Sequence, residues 1–272
     1  MFNRYTGKAW DKRFLPRLNK VQVAELPKDR AVVVLPIGAT EQHGPHLPAF
    51  TDTLIGEGFL TYAFEELPEE EHIWLLPALP FGKSSEHLGH SGTVTFSAST
   101  MMSMLMDIAK SLKASGFQKL VLFSTHGGNV DVLNMMARDI RIETGLAVFR
   151  LDPGFMASEG IISAEEQAVG IHGGEAETSQ VLWLKPNWVD MEAAPSEIPN
   201  YPQGEFLQFK KKAFAWVVDD LSHSGISGNA KQATIETGRK IFENGGKLIA
   251  RGLLEIARFD MASVKVPSLE VK

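Results

Sequence analysis

The residues Val32-Val33-Val34-Leu35-Pro36-Ile37 form an unbroken apolar run that stops at Gly38. A run of that length, closed by a glycine, reads as a buried strand. Three more segments of the same kind follow at 73–79, 118–124 and 146–151, and helical patterns fill the intervals near 53–66, 98–115 and 129–143. This alternation restricts the chain to an α/β fold, with a mostly parallel sheet and helices on both faces. Ligands in such folds bind outside the carboxyl ends of the strands, so the residues that follow each run are where function is sought.

Gly145 fits the cap between the third helix and the fourth strand. A further helix is expected from Glu175 to Leu184. The segment 185–204 contains Pro186, Pro195, Pro199 and Pro202 and must be a long connection, the kind that is often functional or at an interface. Helices are expected again at 206–219 and 230–259, the latter with Ile235, Ile241, Leu248, Leu253 and Ile256 at near-helical spacing. With 272 residues, 44% of them hydrophobic, the chain can bury one large core, so residues 1–272 are read as a single domain.

Charge and composition exclude several functions. A formal net charge of −6 without a basic block argues against nucleic acid as a partner. No window approaches the roughly 18 apolar residues of a membrane span, and the first residues lack a signal core, so a soluble, cytoplasmic protein is expected. With no cysteine, thiolate metal sites, iron–sulfur clusters and cysteine nucleophiles are ruled out. His, Asp and Glu are left as the strong ligands.

Those residue types gather just past the strands. Glu41-Gln-His43-Gly-Pro-His46 and Thr51-Asp52 follow the first, Ser84-Ser-Glu-His87 the second, and Ser124-Thr-His126-Gly127-Gly128-Asn129 the third; His172-Gly-Gly-Glu175-Ala-Glu177 opens the later helix. A mixed oxygen and nitrogen ligand set suits a divalent ion such as zinc or manganese. Converging on one crevice, these segments suggest a two-metal hydrolase. Asp52, short and in a strand-end loop, is expected to bridge two ions. Glu41 and His43, two apart in extended backbone, should point the same way and serve one ion each. His126 is a further ligand, Gly127 and Gly128 allow close backbone approach to metal or substrate, and Asn129 fits a helix N-cap. The fifth ligand is Glu177 or Glu175, with Glu177 preferred and the other orienting a histidine. His172 is left for proton transfer. Ser84 and His87 read as substrate contacts or as caps, and His46 as a support behind the ligands.

Taken together, Leu35-Pro-Ile-Gly-Ala-Thr-Glu41-Gln-His43-Gly-Pro-His46, Thr51-Asp52, His126-Gly-Gly-Asn129 and His172-Gly-Gly-Glu-Ala-Glu177-Thr-Ser179 resemble the creatininase (creatinine amidohydrolase) family, from about residue 20 to about residue 255. The resemblance implies a three-layer α/β/α fold, two divalent ions (zinc, manganese or iron(II)), hydrolysis of a C–N amide bond and a homohexamer. It implies Glu41, His43, Asp52 and His126 as metal ligands and His172 as the acid–base group. Creatininase places a glutamate where this chain has Gly128, so that ligand role passes to Glu177, which is paired with His172 as catalytic. It also has a tryptophan and an aspartate where this chain has Ala168 and Val169, which argues against creatinine as the substrate. The expected reaction is attack by a metal-bridged hydroxide on a small cyclic or N-acyl amide. The rivals are a deformylase or peptidase of the same family, a metal-dependent isomerase, and a metal- or ligand-binding protein without turnover.

Overall fold

A computed structural model describes residues 4–202, 204–207 and 214–264 of the chain. Strands β1 (Val32–Ile37), β2 (Ile73–Leu75), β3 (Lys119–Ser124) and β4 (Ala147–Leu151) form one parallel sheet in the order β2-β1-β3-β4. In the central pair Val32 faces Lys119 and Ile37 faces Ser124, so β1 and β3 end level with each other. β2 is shorter than the expected 73–79. Leu76 and Leu79 still donate to the carbonyls of Val34 and Pro36 at 2.9 Å, but Pro77 and Pro80 have no N–H and the ladder breaks.

Alternate strand residues enter two separate cores. Val32, Val34, Val121 and Phe123 pack with α1 (Lys8–Asp11), α3 (Thr51–Glu65), α7 (Glu175–Leu184) and α9 (Ile235–Arg258). Val33, Leu35, Ile37, Leu120 and Leu122 pack with α2 (Lys20–Glu25), α4 (Ala98–Ala114) and α5 (Val130–Thr144). The result is three layers, helix on sheet on helix, as the alternation of buried runs requires. The helix ends are set by local chemistry. Ser97 accepts from the Thr100 amide at 3.2 Å to start α4, and Gly145, at φ 71°, ends α5 in the left-handed region.

Several expectations need correction. α3 begins at Thr51, so Asp52 lies in the first turn of a helix and not in a loop. The helix expected at 206–219 is absent from its described parts. Only α8 (Val218–Leu221) forms there, and residues 208–213 lie outside the described residues. α9 starts at Ile235, where the Thr234 hydroxyl caps the Thr237 amide at 3.0 Å, and not at 230. Its buried stripe runs through Gly238, Ile241, Phe242, Gly245, Gly246, Ile249 and Leu253, leaving Ile235 49% exposed. Glycines displace the stripe because α9 lies hard against its neighbours: a Cβ at Gly238 would stand 1.9 Å from the Ser179 carbonyl oxygen of α7. The long connection 185–204 contributes only β5 (Ser196–Glu197), antiparallel to β6 (Gly228–Asn229), and a helix not foreseen, α6 (Ala164–Val169), precedes α7. Among the described residues no helix is long and apolar enough to cross a membrane.

Candidate metal centre

The chain leaves β1 toward α3 on one face of the sheet and leaves β3 toward α5 on the other. The two departures open a crevice at the carboxyl ends of β1 and β3, the switch point where doubly wound sheets bind ligands. Glu41 and His43 follow β1, Asp52 is in the first turn of α3, and His126 follows β3. His172 reaches the crevice from an antiparallel bridge with Ser227, and Glu177 from the first turn of α7. The sequence-distant segments therefore meet, and the period-two expectation for Glu41 and His43 describes their shared direction.

Two acid-and-imidazole groups share Asp52. Its Oδ1 lies 3.4 Å from His43 Nε2, which is 3.8 Å from Glu177 Oε2. Its Oδ2 lies 3.3 Å from His126 Nδ1, and the same nitrogen is 3.3 Å from Glu41 Oε1. Glu41 Oε1 is also 3.5 Å from His172 Nδ1. Glu41, His43 and Asp52 are at most 2% exposed. Yet Glu41 Oε2, His43 Nε2 and Asp52 Oδ2 have no hydrogen-bond partner. Leaving such groups buried and unpaired costs several kcal/mol each. A divalent cation removes that cost, and carboxylate oxygen with imidazole nitrogen is the donor set that zinc or manganese takes, so the residues fit such ions.

The outer nitrogen of each imidazole is tied to a backbone carbonyl. His43 Nδ1 donates to the Glu41 carbonyl at 3.0 Å, His126 Nε2 to that of Lys83 at 3.0 Å, and His172 Nε2 to that of Gln42 at 2.7 Å. Each bond places a ring proton outward, so that in the neutral ring the other nitrogen is bare and faces the cluster; a carbonyl is the usual second partner of a ligating histidine. The charges respond to one another. Burial works to raise the Glu41 carboxyl, but His126, His172 and His43 outweigh it and hold it well below the usual range. Burial opposes charge on His43, yet Asp52, Glu177 and Glu41 lift it to about 10. Burial, with the neighbouring His43, presses His172 down to about 3, and burial pushes Glu177 up to about 7.

The surrounding residues sort by what they touch. Glu175 accepts from the Ser163 amide at 3.0 Å, outside the cluster, whereas Glu177 lies within it and accepts from the Gly173 amide at 2.6 Å. His46 donates to Thr178 Oγ1 at 2.8 Å. Ser84 sits behind His126, its hydroxyl 3.3 Å from the outer nitrogen, and His87 stands 3.6 Å from Glu41. Neither lines the cavity of about 330 Å³ that opens beside His126, His172 and Glu177. Gly127 does line it, and a Cβ there would meet nothing within 4 Å. Gly128 faces the other way: a Cβ would stand 2.3 Å from Glu86 Oε1 and 2.4 Å from both His126 Nε2 and the Lys83 carbonyl oxygen. Asn129 is no side-chain cap. Its amide donates to the Gly38 carbonyl at 3.0 Å and accepts from the Lys83 amide at 2.9 Å, tying β1 to the loop after β2. Sequence reasoning gave no role to Glu86, 3.6 Å from His126, or to Gln42, although both lie inside the quoted motifs.

Comparison with known proteins gives a consistent answer. The family model described as creatininase, creatinine amidohydrolase, matches residues 16–253. The mycofactocin precursor peptide peptidase of Mycobacterium ulcerans (strain Agy99) is 32% identical over 226 residues, covering 80% of this chain and 83% of that protein. The creatinine amidohydrolase of Pseudomonas putida is 27% identical over 236 residues, with 78% and 84% covered. Among solved structures, a candidate creatinine amidohydrolase from Bacteroides fragilis NCTC 9343 superposes with a TM-score of 0.76 at 28% identity, covering 96% of this chain and 99% of that one. A manganese form of creatininase superposes with a TM-score of 0.72 at 25% identity, covering 90% and 99%.

Proposed function

The chain belongs to the creatininase family of metal-dependent amidohydrolases, and from that premise we propose that it hydrolyses the C–N bond of a small cyclic or N-acyl amide with two divalent ions, zinc or manganese. In this reading Glu41, Asp52 and His126 hold one ion and His43, Asp52 and Glu177 the other. The observation that carries it is the position of Asp52, whose two oxygens face different imidazoles, at 3.4 and 3.3 Å. Ions held there supply a Lewis acid for the amide carbonyl and acidify water, so that a nucleophile exists at neutral pH.

The chain's own groups manage the protons. His172 has its Nε2–H fixed on the Gln42 carbonyl and its bare Nδ1 turned into the crevice, so it can take a proton and return it to the leaving nitrogen. That step is the harder half of amide cleavage, since an amine anion leaves poorly. Glu177, held in the first turn of α7 by the Gly173 amide at 2.6 Å, stays with the ligands beside it. Gly127 leaves room for substrate beside them.

A second reading, a peptide or other bulky N-acyl substrate, is favoured by the cavity. Its volume of about 330 Å³ exceeds what a single small ring fills, and Ile55, Phe59, Val130, Ala157, Ile171 and Ile241 give it apolar walls. The relative from Mycobacterium ulcerans, named a peptide peptidase, supports the same direction. Ala168 and Val169 do not line this cavity. A screen of the metal-loaded protein against lactams, hydantoins, formamides and short peptides, scored for released amine or formate, decides between the two. Turnover of a ketose with no amide cleaved would overturn both. We extend the family's homohexamer to this chain on resemblance and propose a cytoplasmic location from its composition; a mass measurement in solution tests the former.

A further inference from the structure

Gln42 lies between Glu41 and His43 in the chain, and its side-chain amide has only one way to sit. Oε1 accepts from the Gly44 amide at 2.8 Å, and Nε2 donates to the Gly225 carbonyl at 2.7 Å. Each partner is a backbone group with a single role, so the oxygen and nitrogen are assigned by chemistry. Gly225 is built for this contact: its φ is +89°, and a Cβ there would stand 2.2 Å from Gln42 Oε1.

The remaining Nε2 hydrogen goes to His87 Nδ1, 2.8 Å away, because His172 Nε2, at 3.4 Å, carries its own proton to the Gln42 carbonyl and cannot accept. A hydrogen aimed at that nitrogen needs a lone pair on it, so the His87 ring carries its proton on Nε2. That atom lies 3.6 Å from Glu41 Oε1, and the ring stacks on His172 with centroids 4.4 Å apart. His87 is thus the reverse of His43, His126 and His172, which give their outer proton to a carbonyl and present a bare nitrogen inward. A buried imidazole so close to the cluster would otherwise be one more ligand.

We propose that Gln42 is a positioning residue that fixes His87 as an inward N–H donor, barring it from the metal and directing it at Glu41. The inference rests on the reading of Glu41 as a metal ligand. Its consequence is an open coordination position: a bare nitrogen at His87 would add an imidazole to the ion at Glu41 and fill a place that water or substrate must take. Gln42 sets two histidines at once, His172 through its carbonyl and His87 through its amide.

The test is the position of a proton. In zinc-loaded protein labelled with ¹⁵N-histidine, long-range proton–nitrogen correlation reads which ring nitrogen of His87 is protonated, its signal assigned by its loss in His87→Gln. The expected result is a protonated Nε2 and a bare Nδ1. Gln42→Glu, which can only accept at that point, should reverse the two and lower kcat about 10- to 100-fold with KM little changed. His87→Gln, which keeps an N–H donor, should retain more turnover than His87→Leu. A wild-type His87 protonated on Nδ1, or bound to zinc through Nε2, overturns the proposal. The wild-type spectrum decides this even where a variant fails to fold, and it requires no turnover, so its outcome is separate from that of the substrate screen.

Discussion

Asp52 Oδ2 lies 3.3 Å from His126 Nδ1, and in the neutral imidazole neither atom has a hydrogen to give, since the ring proton goes to the Lys83 carbonyl. Two buried acceptors at that distance repel unless a positive centre lies between them. Asp52 Oδ1 lies 3.4 Å from His43 Nε2, and the same carboxylate helps lift that imidazole to about 10, so positive charge is favoured on this side too, as a proton or as an ion. One carboxylate at the start of a helix therefore asks for positive charge on both sides.

Replacing Asp52 by alanine should remove both ions. Several kcal/mol of charge stabilisation go with them, so turnover should fall on the order of 10³-fold or more. Metal analysis of the purified variant checks this directly: two ions retained per chain would rule out the bridging role.

His172→Ala should keep the ions and lose the proton transfer, with a fall in kcat of about 10² to 10⁴. The discriminating measurement is metal content beside steady-state rate on one substrate. Loss of metal in step with rate would make His172 a ligand instead.

Gly128→Ala should destabilise the fold, because the added methyl meets Glu86, His126 and the Lys83 carbonyl at 2.3 to 2.4 Å. Overpacking of this kind costs about 1–3 kcal/mol. Denaturant unfolding should show a lower midpoint, and an unchanged midpoint would mean that Glu86, His126 and the Lys83 backbone all give way without cost.

Acid should loosen the turn at Ser222–Ser224. Burial works against charge on Glu197, but bonds from the His223 and Ser224 amides and the Ser224 and Ser222 hydroxyls hold it down at about 2, against an ordinary 4.5. A depressed carboxyl stabilises fully above its unfolded value and loses that contribution as pH falls through its folded one. The stability gap between wild type and Glu197→Gln should hold steady above pH 4.5 and close toward pH 2. A gap independent of pH would count against these bonds.

Much of this was legible in the chain. The four apolar runs became the four strands of the parallel sheet, most plainly β1, which is buried on both faces and apolar at every position, and least plainly the edge strand β4, which is half-buried and carries Arg150. Glu41, His43, Asp52, His126, His172 and Glu177 were identifiable because ligand-type residues beside strand ends have few other reasons to cluster. What could not be read is the three-dimensional choice between near neighbours. Glu175 and Glu177 are two residues apart on one helix, and only the fold turns one toward Ser163 and the other toward His43. The stripe of α9 shifted because glycines, which carry no hydropathy signal, mark the face that packs most closely. The sequence offers no role for Gln42. Its role depends on Gly225, 183 residues away.

The most direct test of the two-ion account is removal of metal by a chelator followed by stepwise return of zinc or manganese, with amide hydrolysis followed throughout. The account predicts activity lost on removal and restored to its full value at two ions per chain. Hydrolysis that persists in the fully stripped protein, or that returns in full at one ion, would contradict it.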